Sequence, residues 1–389
     1  MRFNLPKAKE TPKDYKINPW SEEFKCEYPV DKVKKIIKEE KIPLDRLVNH
    51  LNFNYNMDRD KCVLIKSAIE NEAVLVNNDQ EVNLTINLPF CIWRCFNCTN
   101  VMYDKTKNQD IYPYFCDALL KELESTKKLI NDKFFMVKNI AFTGNILALE
   151  EDKIEKLFKI LNYTFCNISV EVGAPEFVTE EKLKILKKYN VSRIIINALT
   201  FNTQTLRKLC RRFEFKDLYE AYKLIVSYGF ETSFELVVGL LDENQLKLER
   251  NLELACELGA SNIDLYSSHC RYIDEPNKSS KATIEQRKLL DFTNNYMLNK
   301  GYKPYFLYCS EIDGGCFENV GWAINNMANK YYIEKTQKSC ILIGCGTNAL
   351  NIKTKTSNKE PETIKNPYNI SQYVFGIDEI IQKKKDFFN

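Results

Sequence analysis

The sequence predicts an α/β protein centred on a partial (βα)6 barrel, and three observations carry that prediction. Short apolar strands alternate with amphipathic helices through the middle of the chain, about residues 81–275. Such alternation implies parallel strands joined by right-handed crossovers, which curve into a partial barrel. Polar residues recur at the C-terminal ends of these strands, where a parallel barrel gathers its loops. The expected organisation is a helical N-terminal region over 1–80, the barrel over 81–275 and an α+β C-terminal domain over 276–389.

Each element has its own signal. Val82, Leu84, Ile86 and Leu88 repeat every second residue and predict the first strand. Phe115, Leu119 and Leu123 share one helical face, with Pro113 suited to the first turn. Ile140–Phe142 form a short apolar strand ending at Thr143-Gly144-Asn145, and Ile154, Leu157, Phe158 and Leu161 mark the next helix. Ile168–Val172 is the third strand, followed by a helix that Thr179 can cap and that carries Leu183 and Leu186. Val191–Ile196 is the fourth. A helical stretch then closes at Gly229, Phe234–Val238 is the fifth strand, a helix around Leu252–Leu258 closes at Gly259, and Ile263–Tyr266 is the sixth.

Composition limits the function classes. The chain has 389 residues, enough for a large core. Fifty-six basic residues face 53 acidic ones, interspersed, so no nucleic-acid surface is expected. Residues 1–20 lack an apolar signal core, and no apolar run is long enough to cross a bilayer; the expectation is a cytoplasmic protein with no membrane partner. Fourteen cysteines in that compartment read as reduced thiols and metal ligands rather than disulfides.

Three of those cysteines are placed for chemistry. Cys91, Cys95 and Cys98 follow the first strand and the apolar elbow Leu88-Pro89-Phe90 with the spacing C-x-x-x-C-x-x-C. Thiolates are soft ligands that suit iron–sulfur clusters or zinc. Three on so short a loop can hold three irons of a [4Fe–4S] cubane and leave the fourth open, whereas a closed ferredoxin or structural zinc site supplies a fourth ligand nearby. None follows closely. The open cluster is the reading the spacing favours, against zinc or buried thiols. Beyond this loop, Thr143-Gly144-Asn145 follows strand two, Glu171 ends strand three, Asn197 follows strand four and Glu235 lies within strand five, although each singly reads as a residue that closes a strand.

These residues resemble the radical S-adenosylmethionine superfamily, whose hallmark is this cysteine spacing after the first strand of a partial barrel. The stretches Val170-Glu171-Val172-Gly173-Ala174-Pro175-Glu176, Arg193-Ile194-Ile195-Ile196-Asn197, Leu209-Cys210-Arg211-Arg212 and Phe234-Glu235-Leu236-Val237-Val238-Gly239-Leu240 are similar to the oxygen-independent coproporphyrinogen III dehydrogenase family. Its HemZ-type branch is the most similar. Gly301–Tyr308, Glu318–Gly321 and Ile343–Gly346 extend the likeness, which runs from about Pro29 to the end of the chain, including the helical piece Pro29–Glu72.

The resemblance implies that Cys91, Cys95 and Cys98 ligate a [4Fe–4S] cluster whose open iron takes the amine and carboxylate of S-adenosylmethionine. Reductive cleavage would then give a 5′-deoxyadenosyl radical, with electrons from a donor such as flavodoxin or ferredoxin. It further implies that Gly144 meets the methionyl amine, that Glu171 and Arg211 make polar contacts to the cofactor, and that Glu235 replaces an aspartate on the ribose hydroxyls. The implied substrate is coproporphyrinogen III or a related tetrapyrrole. Its propionates would call for cations such as Arg212, Arg271 and Lys303, each of which reads alone as a solvated charge. His269 near the mouth is a candidate proton donor or substrate contact, His50 being the other histidine, although a structural histidine is the plainer reading. No catalytic residue is singled out.

The departures from the family pattern are specific. Ile92 stands where a proline is usual, Asn97 where an aromatic is usual (Phe96 can pack instead), Thr85 where a tyrosine lies beside the sulfonium and Leu199 where a glutamine follows the fourth strand. The Gly-Leu-Pro turn reads Gly239-Leu240-Leu241. A second cysteine group, Cys309, Cys316, Cys340 and Cys345, lacks a compact ligand pair and reads as buried thiols rather than a second cluster. The alternative to an enzyme is a non-catalytic iron–sulfur relative of the haem chaperones. Their His-Asn-x-x-Tyr-Trp signature is absent, the corresponding stretch being Glu318-Asn319-Val320-Gly321-Trp322, which favours the enzyme.

Overall fold

A computed structural model describes residues 80–91, 95, 102–240, 243–268, 279–312, 315–324, 327–337, 340–353 and 361–389. The expected N-terminal helical region, His50, His269, Arg271, Cys98, Ile92, Phe96, Asn97 and Leu241 lie outside the described residues.

Six parallel strands stand where the periodicity places them. They are β1 (Glu81–Leu88), β4 (Met136–Gly144), β5 (Asn167–Val172), β6 (Arg193–Leu199), β7 (Glu231–Val238) and β8 (Asn262–Ser267). Between β1 and β4 the two-residue strands β2 (Phe90–Cys91) and β3 (Tyr103–Asp104) pair in parallel and frame the cysteine loop. The crossover helices are α1 (Tyr112–Asp132), α2 (Glu151–Leu161), α3 (Glu180–Lys188), α4 (Thr203–Lys208) with α5 (Phe215–Ser227), and α6 (Gln245–Glu257). Thr179 caps α3 by accepting the Lys182 N–H, as its position in sequence suggests. Gly229, at φ +72°, follows the end of α5, and Gly259, at φ +73°, follows the end of α6.

The fourth strand runs further than its apolar signal. β6 extends to Leu199 because it bulges there: Asn197 pairs with Glu235, and Leu199 then pairs with Leu236. Leu199 reaches this register in the left-handed region, φ +64°, a cost of roughly 1–2 kcal/mol for an L-residue. Its side chain packs with Leu209 and Leu240.

The C-terminal third extends both edges of the same sheet. After α7 (Ser279–Asn299), β9 (Lys303–Ile312) and β10 (Gly315–Ala323) form an antiparallel pair that joins β8 through β10. After α8 (Lys330–Gln337), β11 (Ile341–Gly346) returns to the other edge and pairs in parallel with β1. β12 (Leu350–Lys353) and β13 (Glu362–Lys365) add to it, and α9 (Ile370–Phe375) and α10 (Ile377–Phe388) end the chain. The result is an 11-stranded sheet in the order β13-β12-β11-β1-β4-β5-β6-β7-β8-β10-β9.

Alternation along the strands gives this sheet two unlike faces. Val82, Leu84 and Ile86 join Ile140, Phe142, Val170, Ile194 and Phe234 in a large core beneath the crossover helices. Each fully buried aliphatic or aromatic side chain of this kind is worth about 1.5–3 kcal/mol. The opposite face is polar at its base. Asn167 donates to Asn139 at 3.0 Å, Asn139 to Asn83 at 2.8 Å, and Asn83 to Glu334 of α8 at 2.6 Å. Above this ladder Tyr331, Tyr332 and Ile333 of α8 pack with Ala141, Ile195, Tyr305 and Phe306 in a separate cluster. α8 thus sits on the inner face of the sheet.

Candidate functional site

The C-terminal ends of β1 and β4–β7 carry the polar groups that the sequence marks. β1 runs into the elbow at Leu88-Pro89, where the Tyr103 N–H binds the Pro89 carbonyl at 2.6 Å and the Lys105 N–H binds that of Cys91 at 2.8 Å. These bonds fix the start of the cysteine loop, whose Cys91 and Cys95 are partly exposed. Cys98 lies outside the described residues.

Gly144 closes β4 at φ +90°, and a Cβ there would stand 2.2 Å from the Leu88 carbonyl oxygen. Only glycine suits that conformation and that approach. Its N–H donates to Glu171 Oε2 at 2.7 Å, which ties the turn after β4 to the carboxylate on β5. Next to it, Asn145 is buried with neither side-chain polar atom hydrogen-bonded among the described residues.

Arg211, in the connection after α4, reaches back over β5 and β6. It donates to the Gly173 and Asn197 carbonyls at 2.9 Å each and to Asn197 Oδ1 at 2.8 Å, while its Nε has no partner among the described residues. Asn197 in turn donates to Glu235 Oε2 at 2.6 Å. Glu171, Glu235 and Arg211 therefore belong to one connected mouth, with Asn197 the link between guanidinium and carboxylate. Arg212 is exposed beside it. Lys303 is placed elsewhere: it pairs with Ala323, which pairs with Asn262 at the start of β8, the end of the barrel opposite the mouth.

Two residues without a strong sequence signal complete the arrangement. The Tyr332 hydroxyl lies 3.2 Å from Glu171 Oε1 and 3.1 Å from Glu235 Oε1, and Tyr266 of β8 is 3.2 Å from the same Glu235 oxygen. Tyr332 sits in a short helix 161 residues from Glu171, so neither periodicity nor spacing could join them. Burial and the neighbouring Glu235 push the Glu171 carboxyl up to about 8. Burial also raises Glu235, against the hydrogen bonds it receives. Beside Glu235 in register, Asp264 is buried, accepts the Tyr305 hydroxyl at 2.6 Å and is pushed up to about 8 by burial.

The departures from the family pattern fall on this ground plan. Thr85 points into the same face and contacts Asn87 Oδ1 at 3.3 Å, an oxygen that also accepts from Thr143 at 2.6 Å. Leu199, at its bulge, faces apolar neighbours rather than the carboxylates. Cys340 and Cys345 stand about five strand residues apart, roughly 17 Å at ~3.3 Å per residue. Cys340 takes the Asn83 amide and Cys345 lies against Thr126 and Lys384, so the pair does not share a ligand position. In the stretch Glu318–Trp322, Glu318 holds Arg287, Asn319 accepts the Ser267 N–H at 2.8 Å and Trp322 is in the core.

The donor set fits a cluster-bound cationic amino-acid ligand. Partly exposed thiols stand beyond β1, carboxylates that can meet an ammonium lie at the next strand ends, and a buried guanidinium N–H and a buried amide remain open to a polar group. No helix of the described residues is long and apolar enough to cross a membrane.

Comparison with known proteins places this geometry. Residues 86–255 match the family model described as Radical SAM superfamily. The chain is 24% identical over 316 residues to the oxygen-independent coproporphyrinogen-III oxidase-like protein HemZ of Bacillus subtilis, covering 76% of this chain and 63% of that protein. It is 28% identical over 191 residues to the heme chaperone HemW of the same organism, covering 47% and 49%. The chain thus spans less than two thirds of the length of either relative. The solved structure of coproporphyrinogen III oxidase (HemN) from Escherichia coli, described there as a radical SAM enzyme, superposes with a TM-score of 0.57 at 18% identity, over 80% of this chain and 72% of that one, and so shares the fold.

Proposed function

Residues 86–255 of this chain are a radical SAM domain, and on that premise we propose a HemN/HemZ-type radical enzyme that acts on coproporphyrinogen III or a related carboxylated tetrapyrrole. When bound, a [4Fe–4S] cluster and S-adenosylmethionine supply reductive cleavage to a 5′-deoxyadenosyl radical. This chain's residues do the rest. Cys91, Cys95 and Cys98 hold the cluster, Glu171 and the Gly144 turn receive the methionyl amine, Arg211 orients the carboxylate and Glu235 takes the ribose hydroxyls. For coproporphyrinogen III the outcome is oxidative decarboxylation of propionates to vinyl groups in the cytoplasm, with a flavodoxin or ferredoxin as reductant.

The observation that carries this reading is the linked mouth itself. Gly144 is hydrogen-bonded to Glu171, Asn197 links Arg211 to Glu235, and the Tyr332 hydroxyl joins the two sets beside the strand that leads into Cys91. Positioning at this level governs the rate of any radical transfer, because small displacements of reacting atoms are costly.

The likeness to heme chaperone HemW supports a second reading, an iron–sulfur protein that carries haem without turnover. One experiment separates the two. After anaerobic reconstitution the protein binds about four irons per chain, and reduction in the presence of S-adenosylmethionine yields 5′-deoxyadenosine; the Cys91/Cys95/Cys98 triple alanine variant loses both. Cluster and cofactor binding without any 5′-deoxyadenosine, together with stoichiometric haem binding, selects the chaperone.

A further inference from the structure

Tyr332 meets two carboxylates with one hydroxyl. Its oxygen is 3.2 Å from Glu171 Oε1 and 3.1 Å from Glu235 Oε1. A phenol has one hydrogen to donate, and its oxygen can accept. Both contacts are full two-centre hydrogen bonds only if one carboxyl supplies the second hydrogen. The remaining partners show which one. Glu235 also receives the Asn197 amide at 2.6 Å and the Tyr266 hydroxyl at 3.2 Å, so it is the acceptor, an ionised carboxylate. Among the described residues, the one other donor to Glu171 is the Gly144 N–H on Oε2, which leaves Oε1 to carry a proton toward Tyr332.

We infer that Tyr332 is a positioning residue that ties Glu171 and Glu235 into a pair holding one proton, and that a cationic ligand at Glu171 binds with release of that proton. The relay runs from the Glu171 carboxyl to the Tyr332 oxygen, and from the Tyr332 hydroxyl to the Glu235 carboxylate. On ligand arrival the Glu171 O–H bond breaks, the proton passes to solvent and the carboxylate pairs with the ammonium. The ligand assignment rests on the function proposed above; the one-proton pair does not.

The surroundings fix the sign of the pH dependence. Facing the pair are Tyr266 and Asp264 from β8, Tyr305 from β9 through Asp264, and Lys335 from α8, with Arg211 behind Asn197. Burial and the Glu235 charge raise Glu171 to about 8. Affinity for a cation therefore rises with pH and levels off above about 8. Removing the hydroxyl takes away the acceptor of the Glu171 proton and so moves that midpoint.

The test is titration of the anaerobic, cluster-loaded protein with S-adenosylmethionine by calorimetry, from pH 6 to pH 10, in buffers of differing ionisation heat. Wild type is expected to release close to one proton at pH 7. Tyr332→Phe, which keeps the ring, is expected to shift the midpoint of that rise and to converge on wild type at pH 10. A uniform loss at every pH with the midpoint unmoved would reduce Tyr332 to packing and overturn the inference; Tyr331→Phe is the control for the helix. A readout without ligand separates the inference from the functional reading. The infrared difference between wild type and Glu171→Gln at pH 7 should contain a protonated-carboxyl band that shifts in Tyr332→Phe. Absence of that band refutes the one-proton pair, whereas its presence without S-adenosylmethionine binding refutes only the ligand.

Discussion

The ammonium of Lys384, on the last helix of the chain, lies 2.6 Å from the carboxylate of Glu122 on the first crossover helix, and both side chains are closed off from solvent. Around them Tyr373 and Asn366 donate to Glu122 at 2.6 and 2.8 Å, the Gly346 N–H donates at 2.8 Å, and Lys384 reaches the Gly344 carbonyl at 2.7 Å. One ion pair thus fastens α1, β11, α9 and α10 to one another beside β1.

Lys384→Met should therefore be among the most destabilising substitutions, by about 3–5 kcal/mol, because it leaves Glu122 charged and buried. The double variant Glu122→Gln/Lys384→Met should recover a large part of that loss. Urea denaturation of both checks the prediction; equal destabilisation would show that packing rather than the stranded charge sets the cost.

Gly144→Ala is expected to damage the cluster loop from a distance. The backbone alone costs about 1–2 kcal/mol at positive φ, and the added methyl meets the Leu88 oxygen at 2.2 Å, so the end of β1 must move. Iron retained after anaerobic reconstitution should drop relative to wild type. Full iron loading with unchanged thermal stability contradicts the close approach.

Asp264 should make stability fall as pH rises. Its folded value is about 8 against an ordinary 3.8, so between those limits the folded state holds a proton that the unfolded state has lost. Stability is greatest below pH 3.8 for this group and declines by up to about 1.4 kcal/mol per pH unit until about 8. Asp264→Asn removes that slope. Denaturation midpoints at pH 5 and pH 8 should accordingly differ less in the variant than in wild type.

Cys340→Ala and Cys345→Ala should leave the iron content unchanged. Burial pushes the Cys345 thiol up to about 11 and raises Cys340 further, so neither offers the thiolate that a metal requires at neutral pH. Iron analysis decides it; loss of iron in either variant places a ligand on β11.

Arg211→Ala and Asn197→Ala should weaken S-adenosylmethionine binding non-additively, since the arginine acts on Glu235 partly through Asn197. A coupling of about 0.5–3 kcal/mol is the scale for residues in one network. A double-mutant cycle that closes to zero would mean the two act independently.

The strands were legible because each has one face under helices and one turned inward. Val82, Leu84, Ile86 and Leu88 alternate with Asn83, Thr85 and Asn87 for that reason, and every sixfold unit that periodicity marks is present. Thr179, Gly229 and Gly259 were legible as helix ends, since capping and left-handed backbone are local requirements. The extension of β6 to Leu199 was not, because a bulge is settled by pairing with β7 and not by the apolar run.

Sequence alone determined the barrel's repeat, the cysteine spacing, the strand-end positions of Gly144 and Glu171 and the place of Glu235 within its strand, all of which depend on contacts between near neighbours. Tertiary structure alone decided that Arg211 reaches Glu235 through Asn197, that Lys303 stands at the far end from the mouth, that Lys384 closes on Glu122, and that Tyr332 lies between two carboxylates. Those four depend on where a late helix or edge strand returns to the sheet. That return is fixed by the burial of α8 and β11 against elements more than a hundred residues earlier, and no local periodicity records it.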